Sequence, residues 1–440
     1  MSKNNKPLTE GPIKAHLIRL AIPAAMGMVF NTLYNLTDNW FAGQISDDAL
    51  AGLSIASVVF ALFIALAAGL QSGTSAMVAP DLAKKRHTHV RHWIQNATGI
   101  ALTLSLLIFI LGWAFGKNLL MVLSDSELTV KLAWEYTWVI LLGNLAFALT
   151  QTAAGALMAF GNTRAFRNVL IVGFFANWLL NPLFIFVFDW GVAGLALSTV
   201  VIKSVSALVL FWVLSKELGM VPKPAFRWRK WRQLLSQIIP SGLNMLTIIV
   251  GGFITIYFVA RFGDEAVAGY SVGVRIEQLL LLSAMGLNAA VMAVAGQSFG
   301  AKDYQRVKQT YHQALKLGFV VSIFAVPAMI FLSSLMMDQF TNNAKIIDIG
   351  VYYLRVDALA FFGYVLLFNS VAVLQAIKQP IFPMVIGVLR QMVLPTLANF
   401  ILIVLLGYDV YAIFWAIICI VLSSAIFMLI YTERQLNRLG

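Results

Sequence analysis

Charged residues and cysteine are both scarce in this chain. Of its 440 residues, 11% are charged and 60% are hydrophobic, whereas about a quarter of the residues in ordinary soluble domains are charged. The single cysteine, Cys419, lies in an apolar stretch, which excludes an intrachain disulfide and argues against redox chemistry. The composition therefore argues against a large soluble helical protein and indicates a chain embedded in a membrane.

Motifs for catalysis and nucleotide binding are also missing. The sequence contains no G-x-x-x-x-G-K-[ST], so we expect no ATP hydrolysis by this chain. It has no H-E-x-x-H, no cysteine pair and no loop longer than about 20 residues. We therefore expect no enzyme, no metal site and no cofactor. A membrane-embedded enzyme would need clustered Asp, His or Ser–Lys groups, and a channel would need a repeated filter-like loop; the sequence offers neither.

The second half of the chain repeats the first, about 217 residues later and without a gap. Matching pairs are Pro23 with Pro240, Asp47 with Asp264, Lys85 with Lys302, and Tyr136 with Tyr353. In an apolar chain, a repeat of this length is typical of transporters built from two matched helix bundles, with a binding site between or within them.

The hydrophobic segments predict the fold class. About 20 apolar residues cross a bilayer, and the predicted spans are 15–41, 50–80, 93–116, 131–159, 165–188, 192–216, 232–262, 267–298, 310–336, 346–376, 384–406 and 409–433. We expect an all-α membrane protein with twelve transmembrane helices in two six-helix lobes, related by a pseudo-two-fold axis along the membrane normal. The predicted lobes are 1–217 and 233–440, joined by a basic linker at 218–232.

Positive charge is concentrated in alternate loops, which predicts orientation. The basic set comprises Lys3, Lys6, Lys14, Lys84, Lys85, Arg86, Arg91, Arg164, Arg167, Lys216, Lys223, Arg227, Arg229, Lys230, Arg232, Lys302, Arg306, Lys308, Lys378, Arg434 and Arg438. Basic loops stay in the cytoplasm, so we expect both termini there, in a bacterial plasma membrane. The net charge of +12 could suggest a nucleic-acid partner, but the basic residues lie in alternate loops rather than on one face, which argues against it. We expect an uncleaved first span, a monomer, and small molecules and the bilayer as partners.

The first span carries polar residues on one helical face. Asn31, Asn35 and Asp38 are spaced at i, i+4 and i+7, and Tyr34 borders them. Because a charge in the membrane is costly, Asp38 is the leading functional candidate. The alternative is a cap at the outer end of the helix. Further pocket candidates in this half are Tyr136, Gln151, Asn177, Asn181 and Thr199, although the asparagines could instead hold helices together.

Proline and a second group of acids supply the other candidates. Pro23 precedes the polar face and could act as a hinge or an inert bend, since proline removes a helical hydrogen bond. In the second half, Tyr353 and Asp357 lie four residues apart, and Glu277 lies two spans earlier. Arg355 is a candidate counter-charge for these acids, in which case the group could be a structural salt bridge.

These features resemble the multidrug and toxic compound extrusion (MATE) family. The resemblance covers the whole chain and is strongest in the stretch Ile22 to Gly52, with a further match at Gly161-Asn162-Thr163-Arg164. Asp38 with Asn177 resembles the DinF-like branch. On that resemblance, Asp38 matches the protonatable acid, and Asn181 stands where some relatives carry a second aspartate.

The resemblance also implies roles for other residues. Tyr136 matches a pocket tyrosine, and Tyr353 with Asp357 resembles the cation site of the NorM branch. That site also uses a glutamate on the seventh span, which this chain lacks, and Glu277 partly replaces it.

The function implied is cation-coupled antiport that exports organic, often cationic or aromatic, compounds by alternating access. A proton is the expected coupling ion. Sodium coupling on the same fold is an alternative, as is a lipid-linked oligosaccharide flippase of the same superfamily. Such flippases usually carry a strongly cationic cavity and two extra helices.

Overall fold

A computed structural model describes residues 8–439 of the chain; Met1–Pro7, with the predicted cytoplasmic residues Lys3 and Lys6, and Gly440 lie outside the described residues. Within 8–439 the structure is all helical, with no β-strand. Twelve of its helices are long and apolar enough to cross a membrane: α1 (Ile13–Ile45), α2 (Asp47–Ala83), α3 (His87–Leu123), α4 (Glu127–Ala159), α5 (Thr163–Val187), α6 (Gly191–Leu218), α7 (Trp228–Phe262), α8 (Asp264–Gly300), α9 (Tyr304–Phe331), α10 (Ala344–Ala376), α11 (Ile381–Leu405) and α12 (Val410–Asn437). The all-α fold class with twelve spans is confirmed, and the axis relating the halves stays a prediction.

The helices extend beyond the predicted apolar segments. The predicted span 93–116 lies inside α3, because hydropathy detects only the apolar middle of a helix whose ends are polar. The predicted span 310–336 is too long at its end. The structure ends α9 at Phe331 and starts a separate short helix, Ser333–Asp338, after Leu332 leaves helical geometry (φ −101°, ψ 2°).

The repeat extends to unusual backbone conformations. Lys85 and Lys302, which match in the repeat, both have positive φ, at 55° and 62°. Gly161 and Lys378 match in the same register and also have positive φ, at 76° and 65°. Non-glycine residues adopt this region rarely. The two halves therefore close the helix pairs α2–α3, α8–α9, α4–α5 and α10–α11 with the same type of turn.

Residue contacts divide the described chain into two compact units. One unit comprises Met26–Gly242, and the other comprises Leu8–Ala25 with the chain from Leu243 onward. The changes of unit fall inside α1 and α7, shortly after Pro23 and Pro240, and both helices continue through their proline. The predicted lobe boundaries at 217 and 233 stay a prediction.

In the first unit, glycines allow α2 and α4 to pack closely. A Cβ atom on Gly155 would lie 2.2 Å from the carbonyl oxygen of Gln71, and one on Gly52 would lie 3.1 Å from the backbone nitrogen of Ala133. No larger residue fits at Gly155 without a backbone shift. This packing holds α4 in place beside α6, which carries part of the polar site described next.

Candidate functional site

The carboxylate of Asp38 is buried in the first unit, where it accepts three hydrogen bonds. The side chain is 6% exposed. Its Oδ1 accepts from Nδ2 of Asn177 at 2.8 Å and from Nδ2 of Asn181 at 3.1 Å. Its Oδ2 accepts from Oγ1 of Thr199 at 3.2 Å. Since each donor is neutral, hydrogen bonding rather than an ion pair compensates the acid.

The donors to Asp38 are themselves held by further hydrogen bonds. Asn181 Nδ2 also lies 3.1 Å from Asn177 Oδ1, and Ser198 Oγ donates to Asn181 Oδ1. The hydroxyl of Tyr34 donates to Oγ1 of Thr199 at 2.8 Å. These contacts fix which end of each amide faces the carboxylate, so the arrangement around the acid is pre-organised.

Helical spacing explains how three helices supply this network. Tyr34 and Asp38 are four residues apart on α1, and Asn177 and Asn181 are four apart on α5. Residues at this spacing share a helical face. Thr199 comes from α6. Just beyond Asn181, the last turns of α5 (Leu183–Val187) are π-helical, a local widening often found at functional sites.

Lys203 lies one turn after Thr199 on α6. Its Nζ is 5.3 Å from the ring centroid of Tyr34 and 5.8 Å from that of Phe147. The ammonium is within electrostatic range of Asp38, but the two residues form no ion pair within 4 Å among the residues described. A lysine, half-buried on two aromatic rings, therefore borders the acid without contacting it.

The structure does not join every predicted pocket residue to this network. Tyr136 is buried among apolar side chains within electrostatic range of Asp38. Asn31 is half-buried and Asn35 is exposed. Gln151 has a buried Oε1 atom with no hydrogen-bond partner among the described residues. Asp38 itself lies within α1, facing α5 and α6, rather than capping the helix end.

The second unit contains a separate acidic cluster. Tyr353 donates a short hydrogen bond to Oε2 of Glu277, and Tyr364 donates to Oδ1 of Asp357 at 3.1 Å. Asp357 is 1% exposed, and its Oδ2 has no partner among the described residues. Two carboxylates are thus buried with tyrosine hydroxyls as their hydrogen-bond donors.

The predicted counter-charge for these acids is wrong. Arg355 is exposed, and its Nε donates to the backbone oxygen of Ile330 at 3.2 Å. It follows Tyr353 by two residues and precedes Asp357 by two, so it points to another side of the helix. Arg390 is instead the arginine within electrostatic range of Glu277.

Tyr364 and Tyr270 are cluster residues that the sequence analysis missed. The Tyr270 ring lies 5.1 Å from that of Tyr353, edge to face. A signal was available, because Tyr364 follows Asp357 by seven residues and Tyr270 precedes Glu277 by seven. Two helical turns place such residues on one face.

Neither cluster has the composition of a transition-metal site. In the part of the chain that the structure describes, no group of three or more His, Cys, Asp or Glu side chains converges. Around Asp38, the oxygens of both asparagine amides already accept hydrogen bonds from neighbours. The site therefore offers one carboxylate and two amide oxygens that each already accept a hydrogen bond.

Comparison with known proteins decides the family. The MatE family profile matches the chain twice, at residues 23–183 and 240–401. The chain belongs to the MatE family. Its members are transporters and not enzymes, and they need no cofactor. The two matches start at the repeat-related prolines Pro23 and Pro240, so each half of this MatE protein carries one copy of the family's helix bundle.

Similar proteins include one named for multidrug resistance and one named for FAD transport. The probable multidrug resistance protein YpnP of Bacillus subtilis is 28% identical over 306 residues, covering 68% of each chain. The FAD transporter of Shewanella oneidensis is 24% identical over 402 residues, covering 89% of this chain and 88% of that protein.

A solved structure shares the fold. A MOP superfamily transporter from Pyrococcus furiosus superimposes with a TM-score of 0.93 at 22% sequence identity, covering 100% of this chain and 99% of the other. At this identity the likeness shows the two-lobe fold alone. Membership of the MatE family, together with the twelve helices long and apolar enough to cross a membrane, makes this chain an integral membrane protein.

Proposed function

We propose that this protein is a secondary active efflux antiporter that exchanges protons for small organic, often cationic or aromatic, compounds. The observation that carries the proposal is the buried carboxylate of Asp38, held by three neutral donors on α5 and α6. Ionisable groups buried inside membrane helices are usually found on ion or substrate pathways. Relatives named for multidrug resistance support export of small molecules.

The hydrogen-bond count supports a proton rather than sodium at Asp38. A carboxylate has about four acceptor positions. Two at Oδ1 are taken by Asn177 and Asn181, and one at Oδ2 is taken by Thr199. The position left can hold one hydrogen. Sodium, as a hard cation, requires several converging oxygens, whereas the site offers a single carboxylate with one acceptor position left.

The proposed cycle uses one titration of Asp38. With the pocket open to the cytoplasm, the ionised acid and its neighbours bind substrate. After the pocket has opened to the outside, a proton neutralises Asp38 and its hydrogen-bond donors rearrange. The affinity of the pocket for the substrate falls, and the substrate is released. Pro23 is proposed as the hinge that lets α1 respond. One proton crossing 100 mV supplies about 2.3 kcal/mol, enough for roughly 50-fold accumulation of a neutral substrate.

Several finer assignments belong to the same proposal. Asp38 with Asn177 supports the DinF-like branch of the family. The distribution of basic loops supports cytoplasmic termini in a bacterial plasma membrane. Asn31, Asn35, Tyr136 and Gln151 are proposed to border the substrate, and we expect a monomer.

Reconstituted vesicles test the proposal directly. An imposed pH gradient without sodium should drive dye transport by the wild-type protein, and Asp38→Asn should abolish it. Asp189→Asn is the matched control, since Asp189 is exposed outside the network. Monodisperse size-exclusion profiles would show that both variants fold. Gradient-driven transport by the Asp38→Asn variant at the wild-type rate would rule out the mechanism.

Sodium coupling is the second candidate function, because Asp357 has a buried oxygen without a partner in the described chain. Transport driven only by a sodium gradient, and lost in Asp357→Asn rather than Asp38→Asn, would assign coupling to the second cluster.

A further inference from the structure

The proposed cycle leaves Lys203 without a role, although the residue lies beside the acid. An ammonium group has three N–H donors and no acceptor. Among the described residues, the Lys203 side chain has no hydrogen bond and no ion pair; its nearby partners are the rings of Tyr34 and Phe147. The acid is nearly saturated with donors, whereas the base beside it has no acceptor within 8–439.

The Lys203 ammonium is half-buried and keeps donors that no described residue uses. A half-buried charge loses part of its hydration, and aromatic faces replace only a fraction of that energy. Asp38 offsets the charge at a distance, but its oxygens face the asparagines and Thr199. The three N–H donors of Lys203 are therefore available to a ligand, and an anion is the ligand that its positive charge favours.

We propose that Lys203, Tyr34 and Phe147 form an anion subsite that binds a carboxylate or phosphate group on an aromatic substrate. The inference rests on the proposed transport function and specifies its substrate class. The ammonium binds the anionic group, and the half-buried ring of Phe147 packs against the aromatic body, while the buried ring of Tyr34 supports the ammonium from below. A substrate that also carries an amine places its opposite charges toward Lys203 and Asp38.

The subsite is connected to the titrating acid through a chain of hydroxyl groups. Tyr34 donates to Thr199 at 2.8 Å, and Thr199 donates to Asp38 at 3.2 Å. A proton bound at the remaining position on Oδ2 of Asp38 makes that oxygen a poorer acceptor, so its hydrogen bond from Thr199 weakens. The contact that positions the Tyr34 ring beneath the ammonium then changes. Proton binding thus alters the subsite without competing directly for the anion.

The rival role for Lys203 is an internal counter-charge that keeps the pocket neutral and touches no substrate. The two roles differ in which ligands respond to its removal. Loss of a counter-charge acts through the net charge of the ligand, so it strengthens binding of a cationic ligand, or it affects only folding. Loss of an anion subsite weakens only ligands that carry the anion.

A matched pair of ligands separates these roles. Norfloxacin carries an amine and a carboxylate, and its methyl ester keeps the amine and the aromatic body but lacks the anion. Binding of each is titrated calorimetrically to the full-length protein in detergent at one pH. We expect Lys203→Gln to weaken norfloxacin about tenfold, as for loss of a charged hydrogen bond, and to leave the ester within about twofold. Lys203→Arg should retain norfloxacin binding, since the charge is kept.

Lys216→Gln is the control, because Lys216 lies on the same helix over Trp212, at 3.3 Å from its ring centroid, and is exposed. It should leave both ligands unchanged. Equal weakening of norfloxacin and its ester by Lys203→Gln would overturn the inference, as would a wild-type protein that binds the ester as tightly as the acid or binds neither. The calorimetric titration measures binding and requires no gradient. A failure of the anion subsite would appear in this titration, whereas a failure of proton coupling would appear in the vesicle transport experiment.

Discussion

The two buried acidic clusters of this protein occupy matched halves of the fold but are built differently. Asp38 is a single carboxylate that accepts from three neutral donors. In the other cluster, Glu277 and Asp357 each accept from one tyrosine, and one oxygen of Asp357 has no partner among the residues described. Both oxygens of Asp38 therefore accept hydrogen bonds, whereas one oxygen of the pair accepts none from the described residues.

The repeat shows how this difference arose on one scaffold. In the repeat register, Asp38 matches Thr255, Glu277 matches Phe60, and Asp357 matches Ile140. The turns between helices share their backbone conformation, while the buried acids lie on helices that do not correspond in the repeat. A duplicated bundle therefore specifies where helices lie, and each half acquires its own chemistry through a few substitutions.

The largest expected difference between the clusters is in transport. Asn177→Ala removes a donor at 2.8 Å from Asp38, and loss of a hydrogen bond to a charged group costs about 1.5–3 kcal/mol. We expect proton-driven export to fall by about tenfold or more. Asp357→Asn should change the same rate by less than about twofold.

Initial transport rates in vesicles, normalised to folded protein, provide the measurement. A larger loss of transport rate in Asp357→Asn than in Asn177→Ala would assign the coupling site to the second unit and contradict the proposed difference between the clusters.

A steric substitution tests how rigidly the second cluster is packed. A Cβ atom on Gly273 would lie 2.5 Å from Cδ1 of Tyr353. Gly273→Ala should displace Tyr353 from Glu277 and lower the free energy of unfolding by about 1–3 kcal/mol. Gly252→Ala is the control, since nothing lies within 4 Å of its added atom, and it should be neutral or stabilising. Thermal unfolding followed by tryptophan fluorescence measures both; equal midpoints for the two variants would mean that Tyr353 moves freely.

Removal of one tyrosine hydroxyl from each cluster should have the smallest effects on transport and stability. The two variants should differ in which of these two properties changes. Tyr34→Phe removes the bond to Thr199, worth about 1 kcal/mol, and should slow transport about fivefold with little change in stability. Tyr364→Phe leaves Asp357 with no hydroxyl donor and should lower the unfolding midpoint while transport continues. Parallel transport and unfolding measurements check the pair. Similar profiles for the two variants would indicate that both clusters serve the same role.

Much of the fold could be predicted from hydropathy and repetition. All twelve predicted spans overlap a helix, because a segment long and apolar enough to cross a bilayer has few alternatives to a helix. Within the site, spacing correctly placed Asn177 and Asn181 on one face. Spacing could not show that Asn35 is exposed while Tyr34, its neighbour in sequence, bonds to α6.

Arg355 shows the limit of sequence spacing. Its closeness to two acids in sequence suggested an ion pair, but adjacent helical positions face different directions, and the side chain bonds to Ile330 instead. Tyr364 shows the opposite error, since its spacing of seven from Asp357 was informative and was not used.

The sequence alone determined that this chain crosses a membrane as two repeated bundles and that a single acid lies within the first span. Those properties are local, since they depend on runs and periods of residues along one helix. Only the tertiary structure decided what surrounds that acid. Asn177 is 139 residues from Asp38 along the chain. The bond between them, like the position of Lys203 over the ring of Tyr34, exists only once α1, α5 and α6 have packed together.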